Sequence, residues 1–432
     1  MQALASFGQF ISKKYRKSLV GQYIKSRGGF VAEGSFDVLL FIFLLILVFT
    51  GLTMLYSASY PDAYTDGYDP SFYFKNQAIG VAVGVFLIAV LGKMNHMLFM
   101  EIGAFMGSAV SMGLLVLALF IGGSDDGKDI KRWITIAGIR FQPSDIAKFT
   151  LILTLAFILH RWHHLMVSKK PLNTKIGWIN NLTAGVNRKI GRPVFNESWK
   201  IVMGSILIIL AYVGLVFMGS HLSGAIIMLL VAAVMLFVGE IRPTWIVFFI
   251  CVAILMIPVL MLTGILSEYM IERITNFLST DKDVLNGDWQ TTQALYAIGS
   301  GGFFGKGLGQ SVQKYNYVPE AQNDMIFAII IEELGFLGGV AIIILFALII
   351  WRGIVIGVNC PTRYGALVAF GITFKLALQV FFNIGVATDI IPNTGITLPF
   401  FSYGRTALIV NFAEMGILLS ISRASRMKKF NQ

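Results

Sequence analysis

Charged residues are scarce in this sequence. Asp, Glu, Lys and Arg together make up 13% of its 432 residues, whereas a typical soluble domain carries about 25%. Apolar residues instead reach 56%, and the mean hydropathy is +0.75. This composition excludes an ordinary soluble protein and predicts a polytopic membrane protein.

Cysteine is almost absent as well, with 2 residues in the chain. Cys251 lies inside an apolar run and Cys360 lies beside a basic turn, so neither belongs to the longest polar stretch. We therefore expect no disulfide framework, no cysteine metal site and no redox chemistry.

The net charge of +11 does not form a nucleic-acid-binding face. Lys and Arg occur in short clusters beside apolar runs, without interleaved aromatic residues, which indicates membrane topology and no nucleic-acid partner. We expect the basic segments to be cytoplasmic, and residues 1–35 are too polar to be a cleavable signal peptide. These segments are the N-terminal residues 1–35, the loop 162–198 and the C-terminal tail 423–432.

Apolar runs of roughly 18 or more residues predict an all-α fold of about ten transmembrane helices within residues 36–422. An even number of spans agrees with basic, cytoplasmic segments at both termini. The predicted spans are 36–58, 74–92, 97–121, 143–161, 199–217, 222–240, 244–266, 323–351, 364–387 and 400–422.

One polar stretch, residues 267–322, is much longer than the other loops on its side. It lies between the predicted seventh and eighth helices, carries several acids, and ends in the glycine-rich residues 305–311. Lys306 is followed by glycine, so these residues do not form a phosphate-binding P-loop motif. The spans make this loop extracytoplasmic, and we expect the chemistry of the protein on that outer face.

Several charged residues fall inside the predicted spans. Each costs at least about 2.5 to 3.5 kcal/mol at membrane depth, so each should face the bundle interior and find a partner. Asp145 and Lys148 are spaced for mutual pairing on one helix. The pattern leaves two interpretations open, namely buried pairs that hold helices together or a polar cavity that admits a charged headgroup. The residues are Asp145, Lys148, Glu332, Glu333, Lys375 and Glu414.

Four ordered sequence blocks resemble the SEDS family of bacterial cell-wall glycosyltransferases, the shape, elongation, division and sporulation proteins typified by RodA and FtsW. The resemblance covers essentially residues 36–426. The blocks are residues 54–59 (MLYSAS), 131–134 (KRWI) with 141–148 (FQPSDIAK), the stretch from 297–301 (AIGSG) to residue 335, and 393–404 (NTGITLPFFSYG).

The resemblance implies a peptidoglycan glycosyltransferase that joins lipid II units into β-1,4-linked glycan strands outside the bacterial cytoplasmic membrane, with inversion. Such a reaction needs a base for the acceptor hydroxyl and positive charge for the pyrophosphate leaving group. The family's catalytic aspartate follows an Arg-x-Thr-x-Phe segment, here residues 273–277, which implies Asp283 as the base. A small shift in register would make the base Asp281.

The candidates for substrate binding are cationic residues together with one serine. Lys314 has an exposed loop position as its alternative interpretation, and Arg405 has a snorkelling position at a helix end. No cofactor is implied with certainty, and a divalent cation is an alternative source of positive charge, with no ligands assigned. The candidates are Lys314, Arg132, Lys148, Lys375, Arg405 and Ser402.

By the same resemblance the protein works beside a class B penicillin-binding transpeptidase. Residues 415–423 slightly favour the division subfamily of FtsW-like chains over the elongation subfamily. His221 stands where the family often has an acidic signature, and we expect it to be a polar helix-end residue. Two other functions remain open, a lipid II flippase and a non-catalytic scaffold for a transpeptidase.

Overall fold

The computed structural model describes residues 29–123, 131–136, 139–163, 184, 198–241 and 289–430. The predicted span 244–266, most of the basic loop 162–198, and the acids Asp281 and Asp283 lie outside the described residues.

The described part of the chain is mostly helical. Its only paired strands, β1 and β2, form a short antiparallel hairpin in which Ile134 pairs with Phe141. The strands are β1 (Ile134–Ile136) and β2 (Ile139–Phe141). The helices are α1 (Val38–Thr65), α2 (Phe72–Leu91), α3 (His96–Ile121), α4 (Pro143–Arg161), α5 (Ser198–Met218), α6 (Leu222–Val238), α7 (Trp289–Gly301), α8 (Ile326–Asn359), α9 (Arg363–Ala387) and α10 (Arg405–Phe430).

The prediction of an all-α polytopic membrane protein is confirmed. Within the described ranges, 8 helices are long and apolar enough to cross a membrane, and α6 is a shorter apolar helix. Every predicted span except 244–266 overlaps one of these nine helices. Several helices extend beyond the predicted spans: α1 continues to Thr65 and α8 to Asn359, because polar residues at a helix end do not interrupt its backbone hydrogen bonds.

The stretch 267–322 contains a helix that its polar sequence did not predict. Residues Trp289–Gly301 form α7, which packs against α8. With 13 residues, α7 is too short to span a bilayer, which needs about 20 residues. The sequence did not predict this helix within the stretch, because α7 folds against surfaces that α8 and α9 supply.

Glycine allows some of the membrane helices to pack closely. A Cβ atom on Gly84 of α2 would lie 2.1 Å from Cδ2 of Phe412 in α10. One on Gly353 of α8 would lie 2.2 Å from Oγ1 of Thr373 in α9. Small residues are common where membrane helices touch, because they let the backbones approach. These pairs of helices are thus in contact through positions that accept no larger side chain.

Helix α8 is interrupted at Gly335, whose backbone has φ +73° and ψ −175°. Such a break exposes backbone groups that must find partners in an apolar setting. The segment after α7 supplies them. The amides of Lys306 and Gly307 donate to the carbonyls of Glu332 and Glu333 at 2.9 and 3.0 Å, and the Gly302 carbonyl accepts from Phe336 at 2.9 Å.

Ionic contacts and a hydrogen bond join separate elements at the bundle end that carries both described chain termini. Arg352 at the end of α8 pairs with Asp37, the residue that caps α1. Arg363 at the start of α9 pairs with Glu240 at 3.2 Å. Arg423 donates to the Gly34 carbonyl at 2.7 Å. The loops between α1 and α2, before α8, and between α9 and α10 all lie at the opposite end.

Candidate functional site

Gln290 in the first turn of α7 makes hydrogen bonds at the bundle end opposite to the described chain termini. The Gln290 amide nitrogen donates to the Pro319 carbonyl at 3.2 Å and to Asp324 Oδ1 at 3.3 Å. The Asn393 side chain donates to Gln290 Oε1 at 2.7 Å. One glutamine therefore joins α7, the segment before α8 and the segment before α10. This residue follows shortly after Asp283 in the chain.

The predicted site residue Ser402 helps to shape the segment before α10. Its hydroxyl oxygen accepts from the Leu398 amide at 2.7 Å, and its carbonyl accepts from Gln77 at 3.0 Å. Asn383 of α9 donates to the Ile396 carbonyl at 2.8 Å. Two amide side chains inside apolar helices, Gln77 and Asn383, thus hold this segment in place.

Lys314, predicted to bind phosphate, is fully buried with a carboxylate partner. Its ammonium nitrogen lies 2.9 Å from Glu333 Oε1, and both side chains have 0% exposure. The same nitrogen donates to the Gly309 carbonyl at 2.9 Å and to Ser57 Oγ at 3.2 Å. The exposed-loop interpretation of Lys314 is therefore wrong, because helix α8 places an acid directly beneath the residue.

The neighbouring acid, Glu332, receives its own set of donors. Lys306 lies 2.6 Å from Glu332 Oε1, and Ser311 Oγ donates to the other carboxylate oxygen. The amides of Val312 and Gln313 donate at 3.1 and 3.3 Å. The glycine-rich segment therefore folds around the buried carboxylates of Glu332 and Glu333. Its glycines let its backbone approach the backbone of α8 at the break.

Two buried ion pairs lie in the bundle interior. Lys375 of α9 lies 2.7 Å from Glu414 Oε1 of α10 and 3.1 Å from Asn411 Oδ1. Lys148 lies 2.7 Å from Asp145 on α4. The pairing of Asp145 with Lys148 is confirmed. Lys148 and Asp145 also act electrostatically on Glu414, so the two pairs influence each other across α4, α9 and α10.

Arg132 lies at a small pocket beside the first turn of α4. Ser144 and His221 also line this pocket. Burial, together with the positive charges of Lys148 and Arg132, holds the pKa of His221 well below its usual value of 6.5. His221 precedes the first residue of α6, as expected for a helix-end residue, but it is 7% exposed and therefore buried.

Arg405 is the first residue of α10 and is half-buried. Burial raises the pKa of the nearby Tyr403 hydroxyl, and the charge of Arg405 partly offsets that increase. The predicted cations thus occupy separate places. Lys148 and Lys375 share the bundle interior, whereas Lys314 has its own carboxylate partner.

Sequence reasoning missed Gln290, Asn393 and Ser57 as organising residues. Ser57 Oγ lies 2.7 Å from both carboxylate oxygens of Glu333. The sequence can indicate that a serine lies on a buried helix face. It does not show which residue the serine contacts, because that partner lies far away in the chain. Among the described residues, no group of three or more His, Cys, Asp or Glu side chains is placed to hold a metal ion.

Fold and site together define a multi-pass membrane protein with a hydrogen-bonded network of loops at one end of its helical bundle. A family model described as a cell cycle protein, of the FtsW, RodA and SpoVE type, matches residues 37–427. The chain belongs to this family.

Two relatives are similar along most of their length. Stage V sporulation protein E of Bacillus subtilis is 37% identical over 392 residues, which cover 90% of this chain and 98% of the relative. The probable peptidoglycan glycosyltransferase FtsW of Geobacter sp. strain M18 is 32% identical over 393 residues, with 90% and 98% covered.

Solved structures share the fold. A chain from a peptidoglycan synthase complex that coordinates polymerization and crosslinking has a TM-score of 0.66 and 24% identity, with 90% of this chain and 98% of that chain covered. The crystal structure of the rod shape determining protein RodA of Thermus thermophilus has a TM-score of 0.59 and 24% identity, with 90% and 97% covered.

Proposed function

We propose that this protein is a peptidoglycan glycosyltransferase that polymerises lipid II into β-1,4-linked glycan strands. The observation that carries the proposal is the family match over residues 37–427, together with the relative at 32% identity named probable peptidoglycan glycosyltransferase FtsW. The loop network supports it, since Gln290 ties the chain just beyond Asp283 to the segments before α8 and α10.

The proposed location is the bacterial cytoplasmic membrane, with both termini in the cytoplasm and the reaction on the outer face. The charge distribution supports this orientation. Arg352, Arg363 and Arg423 lie at one end of the bundle, whereas Asp62 and Asp69 belong to the opposite end. Basic residues are enriched on the cytoplasmic side of membrane proteins.

In the proposed reaction Asp283 removes a proton from the acceptor sugar hydroxyl while the lipid pyrophosphate departs. Positive charge near the leaving group lowers the barrier by stabilising developing negative charge. Lys314 is less suited to this role, because Glu333 already neutralises it, and Arg132 and Arg405 remain candidates. We keep a divalent cation as an alternative source of that charge, to be tested by chelation.

We also propose a class B penicillin-binding transpeptidase as the partner. The similar chain in the solved synthase complex belongs to an assembly that combines polymerization with crosslinking. The pairing would bring newly made strands to the crosslinking enzyme.

A lipid II flippase is the second candidate, and the buried group of Lys148, Asp145, Lys375 and Glu414 favours it. Charges at membrane depth are typical of pathways for charged substrates. The contact of Arg352 with Asp37 joins α8 to the start of α1 at the other end, and a pathway through the bundle would have to open such contacts.

The deciding experiment supplies labelled lipid II to the purified full-length chain with its transpeptidase partner. We expect glycan strands from the parent and a loss of at least about a hundredfold in rate for Asp283→Ala, because a general base contributes about 10²–10⁴-fold. Asp281→Ala is the matched control and should polymerise at close to the parental rate.

Three outcomes would contradict parts of the proposal. Parental polymerisation by Asp283→Ala would overturn the site assignment. Transfer of lipid II across vesicles without any polymer from either form would favour the flippase. Polymer formation that stops with a chelator and returns with a divalent cation would assign the leaving-group charge to a metal.

A further inference from the structure

Two contacts between α1 and α8 indicate where the membrane lies. Arg352 of α8 pairs with Asp37 at the start of α1, and Ser57 Oγ of α1 lies 2.7 Å from Glu333 Oε1 of α8. About 20 residues of helix separate Asp37 from Ser57, which is about 30 Å at about 1.5 Å per residue. The hydrocarbon core of a bilayer is also about 30 Å thick. Glu333 therefore lies close to the boundary of that core at the bundle end opposite to the described chain termini.

Helix α7 lies beside the first part of α8 and runs in the same direction. Near the start of α7, Gln290 donates to Asp324, just before α8, at 3.3 Å. Just beyond the end of α7, the Gly302 carbonyl accepts from the Phe336 amide at 2.9 Å. Phe336 lies on the hydrocarbon side of Glu333, because α8 continues from there toward Arg352. The end of α7 therefore lies inside the membrane boundary.

The chain then turns back toward the level at which α7 began. The Pro319 carbonyl, further along the chain, accepts from Gln290 at 3.2 Å. Residues 289–319 thus run inward beside α8, turn at Phe303 and Phe304, and return. A path that enters a membrane and leaves it on the same side is re-entrant. We call Phe303 and Phe304 the tip of this element.

The backbone at the tip has the partners that a position in lipid requires. The hydrocarbon core offers no hydrogen bonds, so irregular backbone is tolerated there only where protein groups satisfy it. The Phe303 carbonyl accepts from the Leu337 amide of α8 at 3.3 Å. The nearest charged residue along the chain, Lys306, pairs with Glu332 at 2.6 Å, so its charge is neutralised. The tip can therefore enter lipid without a large polar penalty.

The side chains of the tip form an exposed apolar surface together with α8. Phe303 is 56% exposed and Phe304 is 78% exposed, and the Phe303 ring stacks on Phe336 with 5.9 Å between the ring centroids. This surface continues along α8 to the exposed side chains of Leu337 and Ile344. Helix α8 is long and apolar enough to cross a membrane, so its exposed apolar side chains face lipid. The tip extends this lipid-facing surface, and apolar patches of this kind mark membrane contacts.

We propose that residues 289–319 form a re-entrant element whose tip, Phe303 and Phe304, inserts into the lipid leaflet beside α8 and anchors α7 in the membrane. The ligand of the tip is the acyl-chain region of the leaflet, and the contact needs no particular headgroup. Because α7 begins shortly after Asp283 in the chain, the anchor holds the chain beyond Asp283 at the membrane surface. Only the catalytic meaning of this last point rests on the proposed function.

The test measures the depth of the tip in a bilayer without turnover. Full-length protein in which the two native cysteines, Cys251 and Cys360, are replaced by serine carries one nitroxide label at a time, in phosphatidylcholine nanodiscs without a partner protein. Phe304→Cys places the label at the tip. Ile343→Cys, on the exposed face of α8, is the lipid control, and Tyr317→Cys, exposed on the returning segment, is the control outside the membrane. Accessibility to oxygen and to a water-soluble nickel complex gives the depth of each label.

We expect the label at residue 304 to lie about 5–10 Å inside the boundary between headgroups and acyl chains, the usual depth of interfacial apolar groups. Oxygen should reach it and the nickel complex should not, as for the label at residue 343. Nickel accessibility equal to that at residue 317 would overturn the proposal. Shielding that appears only after a transpeptidase is added would also overturn it, since the tip would then contact protein.

Phe304→Trp keeps an aromatic ring and provides a second measurement if a cysteine disturbs the tip. Its added fluorescence should be quenched by phospholipid that is brominated on the upper part of the acyl chains. The added fluorescence of Tyr317→Trp should be quenched much less. An unquenched signal from Phe304→Trp would overturn the proposal. Neither measurement involves catalysis, so a failure of Asp283 as the base would leave both unaffected.

Discussion

The ammonium group of Lys314 lies 2.9 Å from Glu333 Oε1, and neither side chain is exposed to its surroundings. The two residues come from different segments, the glycine-rich segment before α8 and α8 itself. Their contact holds the segment against the helix just before the break at Gly335. The pair therefore fixes the glycine-rich segment to α8 at the end of the bundle where we propose that the reaction occurs.

Removal of one partner should destabilise the protein strongly. We expect Lys314→Met to lose about 3–5 kcal/mol of unfolding free energy, because Glu333 is left as a buried charge without its counter-ion. The double variant Lys314→Met with Glu333→Gln should recover most of this loss. Thermal unfolding in detergent measures the effect.

Lys306 provides the control for this prediction. Its side chain is 32% exposed, and Glu332 keeps donors from Ser311 and Val312. Because water can replace the ammonium group at this partly exposed position, Lys306→Met should cost less than Lys314→Met, although Glu332 itself is buried. Equal losses of unfolding free energy for Lys306→Met and Lys314→Met would contradict the conclusion that the pair of Lys314 and Glu333 fixes the segment to α8.

A side chain at Gly335 should disrupt the break in α8. Its φ of +73° with ψ −175° suits glycine alone, and an added Cβ would lie 2.3 Å from the Gly305 nitrogen. We expect Gly335→Ala to lose at least about 3 kcal/mol of unfolding free energy. Gly113→Ala in α3, where a Cβ meets no atom within 4 Å, should be neutral or gain up to about 1 kcal/mol. Similar stabilities for both variants would show that the break tolerates a side chain.

Loss of the Gln290 anchor should slow polymerisation without unfolding the protein. Gln290→Ala removes the hydrogen bonds to Asp324 and Asn393, so we expect kcat for lipid II to fall about tenfold with little change in KM, since positioning acts on the reacting geometry. Tyr296→Ala on the same helix is the control, because Tyr296 is 58% exposed. A kcat equal to the parental value in Gln290→Ala would show that the hydrogen bonds of Gln290 do not contribute to the reaction.

Acid should destabilise the protein in part through His221. The pKa of this buried, neutral imidazole lies well below 6.5, so the unfolded chain binds a proton that the folded protein does not. The contribution is complete above the unfolded pKa and is lost as pH falls below it. It should amount to about 1.4 kcal/mol between about pH 7.5 and about pH 5.5.

His221→Asn cannot titrate and provides the comparison. Its unfolding free energy should fall less than that of the parent over the same pH range, by about the amount assigned to His221. Parallel pH profiles for the two proteins would mean that the pKa of the His221 imidazole is the same in the folded and unfolded states, against the lowered value argued above.

Sequence reasoning predicted the helices of the membrane domain but not the arrangement of its loops. Apolar length identified spans such as Pro143–Arg161, since a bilayer demands a minimum run of apolar residues. Helix α7 escaped notice because it is short and polar, and its packing partner α8 lies elsewhere in the chain. Asp283 remains a prediction from resemblance, as it lies outside the described residues.

The sequence by itself determined contacts whose partners are neighbours along the chain. Asp145 and Lys148 pair because residues three apart lie on one face of a helix. Only the tertiary structure decided that Lys375 pairs with Glu414 and Lys314 with Glu333, since those partners meet through the packing of separate helices and segments. A buried charge requires a partner of opposite charge, but the sequence does not show which residue that is. The packing of the bundle determines it.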